Sequence, residues 1–480
     1  MATETVRKWT VGLLLIAAIT AIPGGLAAQT PEDELDIAAP ELLATPESEP
    51  VEPADGGCLE LLEAGSNEMI FAEEHVVGEG EYVVGEGEAV EFVDGFSYAT
   101  SGQFWFRGDY LLLWTNGNRL PPLVTTSPVG EPVGVLGAAN TSVLFGGGRV
   151  NRGGRSNFRA SLGYWVDACQ SFGFEGDYFD STRHTVRFSQ LSPGEPVLAR
   201  PFYDVVNDIQ SSQIIAYPGL AVGSVTASAS EYYESTGARM RRNLMLRQTG
   251  CVAGASACGE SVCSDYATGR YFRLDLLAGY RYHRLVDHVA IREDVVITDL
   301  AQPPAVRGTM FNIEDDFRAR NEFNGGELGL LAQFRRDRWS LELQAKMALG
   351  NNHQVVFING TTAITTPVSP PEDTTTTDYA GGVLALANNS GRFARDEFIV
   401  IPQVGVELGY QVTCGLRAYL GYNLLYWANV ARAGHHIDLN IDPANLPPVV
   451  DPSPGPEPTF GFHSVDFWAQ GFTAGFEVSF

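Results

Sequence analysis

The chain has 480 residues, a formal net charge of −27, 52 glycines and 11% aromatic residues. Lysine occurs only at Lys8 and Lys346, and no Lys or Arg falls between Lys8 and Arg107, where acidic residues crowd together. The negative excess therefore sits in one N-terminal stretch, which excludes nucleic acid as a partner. No apolar run beyond residue 30 reaches the ~20 residues of a spanning helix, so any membrane crossing must use strands.

Residues 1–28 read as an export signal. Arg7 and Lys8 precede an apolar run at 11–22, Pro23 breaks it, and Gly25 and Ala27 are small residues at the cleavage-site spacing. Residues 29–101 are rich in Glu, Pro, Ala and Gly and repeat a seven-residue unit at 76–82 and 83–89. Such a stretch buries little core, so a largely disordered periplasmic segment is expected.

From residue 102 to 480 the chain alternates with the two-residue period of strands. In 103–115 the face of Phe104, Phe106, Tyr110, Leu112 and Trp114 opposes Arg107 and Asp109. In 157–167 the charged side carries Arg159 and Asp167, and in 172–178 it carries Glu175 and Asp177. Residues 236–247 are a weaker strand, because Arg242 falls on the apolar face and must lie near an interface. Further strands follow at 272–282 (charged side Arg273, Asp275, Arg281), 326–335 (Glu327, Arg335) and 339–349 (Glu342, Lys346). The last three are 398–410 (Glu407), 416–426 (Arg417) and 472–480 (Glu477).

One face of these segments is free of charge except at Arg242, while the opposite face concentrates it. Lipid imposes that division, because an Arg or Lys facing the bilayer midplane costs about 2–4 kcal/mol. The fold class is therefore all-β, a transmembrane antiparallel up-and-down barrel of ten strands, with the charged residues named above lining its lumen. Tight links at 168–171, 336–338 and 412–415 alternate with long connections at 116–156, 183–234, 285–322, 351–397 and 429–465. That alternation, with the link at 248–269 longer than a usual turn, matches short periplasmic turns and long extracellular loops. Twelve strands are the alternative, with an extra hairpin around 143–150. Trp114, Trp339, Tyr410, Tyr426, Trp427 and Phe480 fall near strand ends, as interfacial girdles require. Phe472, Phe476, Val478 and the terminal Phe480 alternate in the manner of a barrel-assembly signal.

The six cysteines would share the periplasmic side, Cys169 and Cys414 in tight turns. In an oxidising compartment a disulfide among Cys251, Cys258 and Cys263 is expected, although fifteen complete pairings remain open. Paired C-x-x-C spacing is absent, so neither a metal nor a cofactor is called for.

Three stretches carry a family resemblance: FWFRGDYLLLW at 104–114, RLDLLAGYRY at 273–282, and VARAGHHID at 430–438 through FWAQGFTAGFEVSF at 467–480. With N-x-F-x-G-G-x-L-G at 321–329, they resemble in order and spacing the planctomycete outer-membrane family labelled beta barrel porin-7. The resemblance implies a barrel in the cell outer membrane and no particular activity. Where the family usually carries an acidic residue and an amide, this chain has His435-His436.

Three function classes remain. A porin-like channel would need an open lumen, and ten strands are few for one. A structural or surface-display barrel explains the lipid-purged strands, polar filling and long loops without transport. Its partners would be outer-membrane lipid, the barrel-assembly machinery and other envelope proteins reached through the loops. A hydrolase could draw on His435, His436, Asp438, His353 and His463 near the rims, but no nucleophile motif, H-E-x-x-H or phosphate loop occurs. A non-enzymatic barrel is the expectation.

Overall fold

A computed structural model describes residues 103–480 apart from 131, 168, 250–269, 300–306, 370–372, 414 and 450–454. The export signal, the acidic segment and Cys58, Cys251, Cys258, Cys263 and Cys414 lie outside the described residues. Ten antiparallel strands close a ring: β1 (Phe104–Thr115), β2 (Arg155–Trp165), β3 (Phe172–Asp180), β4 (Ala221–Thr249) and β5 (Arg270–Ile297), followed by β6 (Met310–Arg336), β7 (Trp339–Ser369), β8 (Gly391–Thr413), β9 (Leu416–Ala431) and β10 (Ser464–Ser479). Each pairs with its neighbour in sequence, and β10 returns to β1 with Glu477 opposite Arg107 and Phe472 opposite Leu112.

Near the tight turns the alternation has apolar side chains outside. Leu162, Leu420 and Phe398 are 65%, 65% and 74% exposed, and Phe174, Leu328, Trp339, Phe472 and Phe480 also face outward. Arg107, Asp177, Arg281, Glu327 and Glu407 are buried within the ring. The outward apolar stretch on β7, residues 339–349, spans about 25 Å once strand rise and tilt are allowed for.

Strands β4 to β8 run beyond this belt, which the connection lengths did not anticipate. Residues 183–234, 285–322 and 351–397 are not loops but largely continuations of β4 to β8 with added edge strands. His184–Ser192 pairs with β4 and Asp373–Ala380 with β7. The faces keep their parity while their polarity reverses. On β5, Phe272, Leu276 and Tyr280 point out and Asp275 and Arg281 point in; past Tyr282, Leu285, Val289, Ile291 and Val295 point in and Arg284, His288, Arg292 and Asp294 point out. On β6 the outward row changes from Leu330, Leu328 and Gly326 to Glu322, Arg320, Arg318, Asp316 and Glu314. The change falls on one continuous line, because Glu234 is opposite Arg284, Arg284 opposite Glu322, Glu322 opposite His353 and His353 opposite Asp396. On one side of the line the outer face suits hydrocarbon, and on the other it suits water.

The remaining connections fold into a cap held by the inner face of this extended wall. Leu198–Asp204 pairs with Ile209–Ala216 and Val124–Thr126, Val124–Thr126 pairs with Ser142–Phe145, and Asn440–Ile441 joins in parallel. Asn118–Arg119 pairs with Arg149–Val150. The proposed membrane hairpin around 143–150 is thus two pieces of cap, and the ring has ten strands. Leu120, Phe145, Leu198 and Phe202 of the cap pack with Val225, Val289, Ile291 and Phe317 of the wall in one buried cluster. At about 25 cal/mol per Å² of apolar surface, such burial anchors a cap as it would a soluble domain.

Candidate functional site

Charged side chains occupy the lumen from the turn end upward. Nearest the turns, Asp275 accepts from Arg241 Nε at 2.6 Å and from Arg273 Nε at 2.8 Å. Both guanidinium groups sit over the Trp165 ring, at 4.9 and 4.5 Å. Beside them Arg107 donates to Glu477 at 2.6 Å, Glu407 at 3.2 Å and Glu342 at 3.3 Å. Arg417 closes this group through Glu407 at 2.5 Å and Glu342 at 3.5 Å.

The next cluster is central. Arg281 grips Asp177 with both terminal nitrogens, at 2.7 and 3.0 Å, and donates Nε to Glu327 at 2.8 Å. Arg239 reaches Asp177 at 2.7 Å, Glu327 at 2.9 Å and also Glu175, while Lys346 Nζ lies 3.7 Å from Glu327. The hydroxyl of Tyr419 donates to Asp109.

Within the belt the lumen thus holds eight basic groups (Arg107, Arg159, Arg239, Arg241, Arg273, Arg281, Lys346, Arg417) and eight acidic ones (Asp109, Glu175, Asp177, Asp275, Glu327, Glu342, Glu407, Glu477). Equal numbers let charges pair across the lumen, and the pairing fills it. A void of ≈ 50 Å³ remains between Arg159, Asp177 and Arg281 on one side and Leu111, Leu113 and Tyr233 on the other. One or two waters would fill it.

Above that void an apolar layer spans the ring. Trp427, Phe323, Phe467 and Leu285 are fully buried, with Leu111, Leu113, Phe179 and Leu425 around them. His283 lies within 6.0 Å of the Tyr233, Phe323 and Trp427 rings and shares a 2.9 Å hydrogen bond with the Tyr233 hydroxyl. A fourth charged cluster follows, where Glu231 accepts from Arg155 at 2.5 Å and from Arg432, which also meets Asp287. In the cap, Arg200 pairs with Asp315, which also accepts the backbone N–H of Ala385 at 2.8 Å and of Val383 at 3.1 Å. Glu293 stands 3.9 Å from Arg200. Burial, partly offset by Arg200, pushes the Glu293 carboxyl up to about 7.

Several expectations change. Asp167 is not in the lumen but closes the β2–β3 turn, accepting the N–H of Ser171 and of Phe172 at 2.9 Å each. Arg335 lies at the turn rim, with Nε on the Asp337 carbonyl at 3.0 Å. Trp427 is not in an interfacial girdle; it forms part of the lumen's apolar layer. His435 and His436 occupy a 3-10 turn, Ala433–His436. Burial lowers both to about 4, and His436 Nδ1 is 2.9 Å from the Arg432 carbonyl. Asp438 is taken by the backbone and side chain of Asn440. Cys169 is disulfide-bonded, which the expectation for Cys251, Cys258 and Cys263 did not include. No cluster able to hold a metal occurs among the described residues.

Sequence reasoning missed Arg239 and Arg241, because Arg242 made that strand look doubtful. Arg242 is opposite Phe172, the first residue of β3, and just beyond it the pairing of β4 with β5 shifts register between Asn243 and Met245. It also missed Glu231 and Asp287, whose inward parity could have been followed had the strands been carried past residues 282 and 235, and Arg155 and Arg432, which stand at the start of β2 and just past the end of β9.

Comparison with known proteins came to three results. Residues 105–480 match the family model described as "Putative beta barrel porin-7 (BBP7)". No curated protein sequence matches. Solved structures that align include the outer membrane protease OmpT from Escherichia coli, at 10% identity over 79% of this chain and 98% of that one, with a TM-score of 0.33. The P. putida toluene transporter TodX aligns at 11% identity over 79% and 90%, with a TM-score of 0.20.

Proposed function

Taking as premise that the chain belongs to the beta barrel porin-7 family of outer-membrane barrels, we propose that it is a closed barrel, a structural and display component of the cell envelope. The observation that carries this reading is the lumen's filling. Four ion-paired clusters, the first two side by side at the turn end, and an aromatic layer fill it, and a packed cap covers the far end. An ion crossing it would have to break paired, buried charges and then enter an apolar layer about as hostile as lipid. In this reading the tight turns face the periplasm, together with the N-terminal segment, and the cap faces outward, where it meets other envelope proteins. The charged lumen residues close and pin the barrel rather than select solutes, and the histidines near the cap perform no chemistry.

Planar-bilayer recording of the folded full chain tests it. The expected result is a silent membrane at ordinary holding potentials, with insertion checked independently by protease protection. Stable, reproducible conductance steps from the same preparation would replace this reading with a conducting porin for small solutes.

A further inference from the structure

The outward face at the turn end is not uniform around the ring. Arg247 on β4, Arg270 on β5 and Arg336 on β6 point out side by side, since Arg247 is opposite Phe272 and Arg270 is opposite Arg336. All three are exposed, and Arg338 follows in the turn. Among the described residues Arg247, Arg270 and Arg338 make no ion pair, and Arg336 has only Asp337 at 3.9 Å. Directly above them Phe272 and Phe334 lie 4.8 Å apart, and Trp339 contacts Tyr410 at 5.0 Å. Arg247, Arg270, Arg336, Phe272, Phe334 and Trp339 border a shallow groove of ≈ 510 Å³ whose apolar floor runs up through Leu341 and Leu408.

Elsewhere the turn end is different. The β2–β3 turn carries Asp167, and the β8–β9 turn carries Gln411 and Thr413. A general interfacial anchor would recur on every hairpin, whereas this cationic row is confined to one sector of an acidic chain. At the opposite edge of the belt the outward charges compensate one another, with Arg284 3.4 Å from Glu234 and 3.6 Å from Glu322.

We propose that this sector binds an anionic phospholipid of the leaflet at the turn end. The headgroup phosphate sits among Arg247, Arg270 and Arg336, and an acyl chain lies along Phe272, Phe334, Trp339 and Leu341. Charge and geometry both fix the occupant. Guanidinium groups at a bilayer edge with no acidic partner among the described residues call for phosphate, and a hydrocarbon-facing groove continuous with them calls for a ligand carrying its own tail. The inference is independent of whether the lumen conducts.

The test uses the full chain folded in mixed micelles containing phosphatidylglycerol or phosphatidylcholine, with bound lipid counted by native mass spectrometry. Phosphatidylglycerol should be retained preferentially. Neutralising the row as Arg247→Gln, Arg270→Gln and Arg336→Gln should weaken retention about five-fold per site, on the order of 100-fold for the triple variant. Arg292→Gln and Arg318→Gln, outward at the cap end, should leave retention unchanged. Heat-modifiable gel mobility reports folding, and if the triple variant fails to fold, Arg270→Gln alone carries the comparison. Equal retention of both lipids, or undiminished retention by the variants, would overturn the proposal. So would competition by glycerol 3-phosphate as strong as that by the lipid, since the site would then read phosphate alone.

Discussion

Replacing Leu420 and Leu191 separately by arginine asks which solvent each part of the wall meets. Leu420 on β9 is 65% exposed and lies midway along the outward belt, opposite Leu408 and Ala474. Leu191 is 77% exposed, opposite Ser224 of β4. That position is roughly 25 Å beyond the polarity line, from strand rise and tilt. In water, exchanging an exposed leucine for arginine changes stability by no more than about 0.5 kcal/mol. In lipid near the midplane the same exchange costs about 2–4 kcal/mol, a factor of roughly 30 to 1,000 in the folding equilibrium. Reversible urea unfolding of the chain in lipid vesicles measures both. Leu420→Arg should lower the unfolding free energy by the larger amount, and Leu191→Arg should leave it near the wild-type value. Equal small effects at the two positions would refute the assignment of the belt to hydrocarbon.

Glu327→Gln leaves Arg281, Arg239 and Lys346 short of a shared acidic partner in a buried cluster, so a loss of about 3–5 kcal/mol is expected in the same unfolding assay. Trp427→Ala should cost a similar ~3–5 kcal/mol through the cavity it leaves. That variant should still give no conductance in bilayers, since the ion-paired clusters beneath remain intact. Glu293 provides a pH signature. Its folded pKa of about 7 lies above the unfolded value of 4.5, so the native state holds the proton longer. Cap stability should therefore fall as pH rises from about 4.5 to about 7, by at most about 1.4 kcal/mol per unit from this group. His435 and His436, lowered to about 4 from 6.5, act oppositely and cost stability as pH falls below 6.5. The difference between wild type and Glu293→Gln isolates the glutamate: a difference curve flat in pH across that window, read by cap-specific proteolysis, would refute the assignment.

Sequence periodicity was informative where lipid acts as the selecting solvent. Along 272–282 or 339–349 hydrocarbon removes charge from one face, so the alternation identifies both strand and orientation without knowledge of any partner. Past Tyr282 the same strand continues with the same parity, but Leu285, Val289 and Ile291 now take the inner face. A reading that equated apolar with outward had no reason to extend it. The lumen charges on β1, β5 and β7 were legible for the same reason that the belt was. Arg200 meeting Asp315, or Arg432 meeting Glu231 and Asp287, joins residues more than a hundred positions apart through a folded cap, and no local pattern encodes such a meeting. Trp427 misled because a tryptophan near a strand end reads as an anchor, although its parity, shared with Arg417, Tyr419 and Leu425, puts it on the inner face.

The reversal of polarity along strands of constant parity has a mechanical corollary. Sliding the barrel toward the cap side by two residues would lift Phe398 from hydrocarbon into water and draw Arg336 into oil, and sliding it the other way would sink Glu322 and Asp396 into oil. Turning any one strand by a single position would do both at once. The wall therefore carries its own waterline, and immersion depth, usually left to the surrounding bilayer, is written into the side chains.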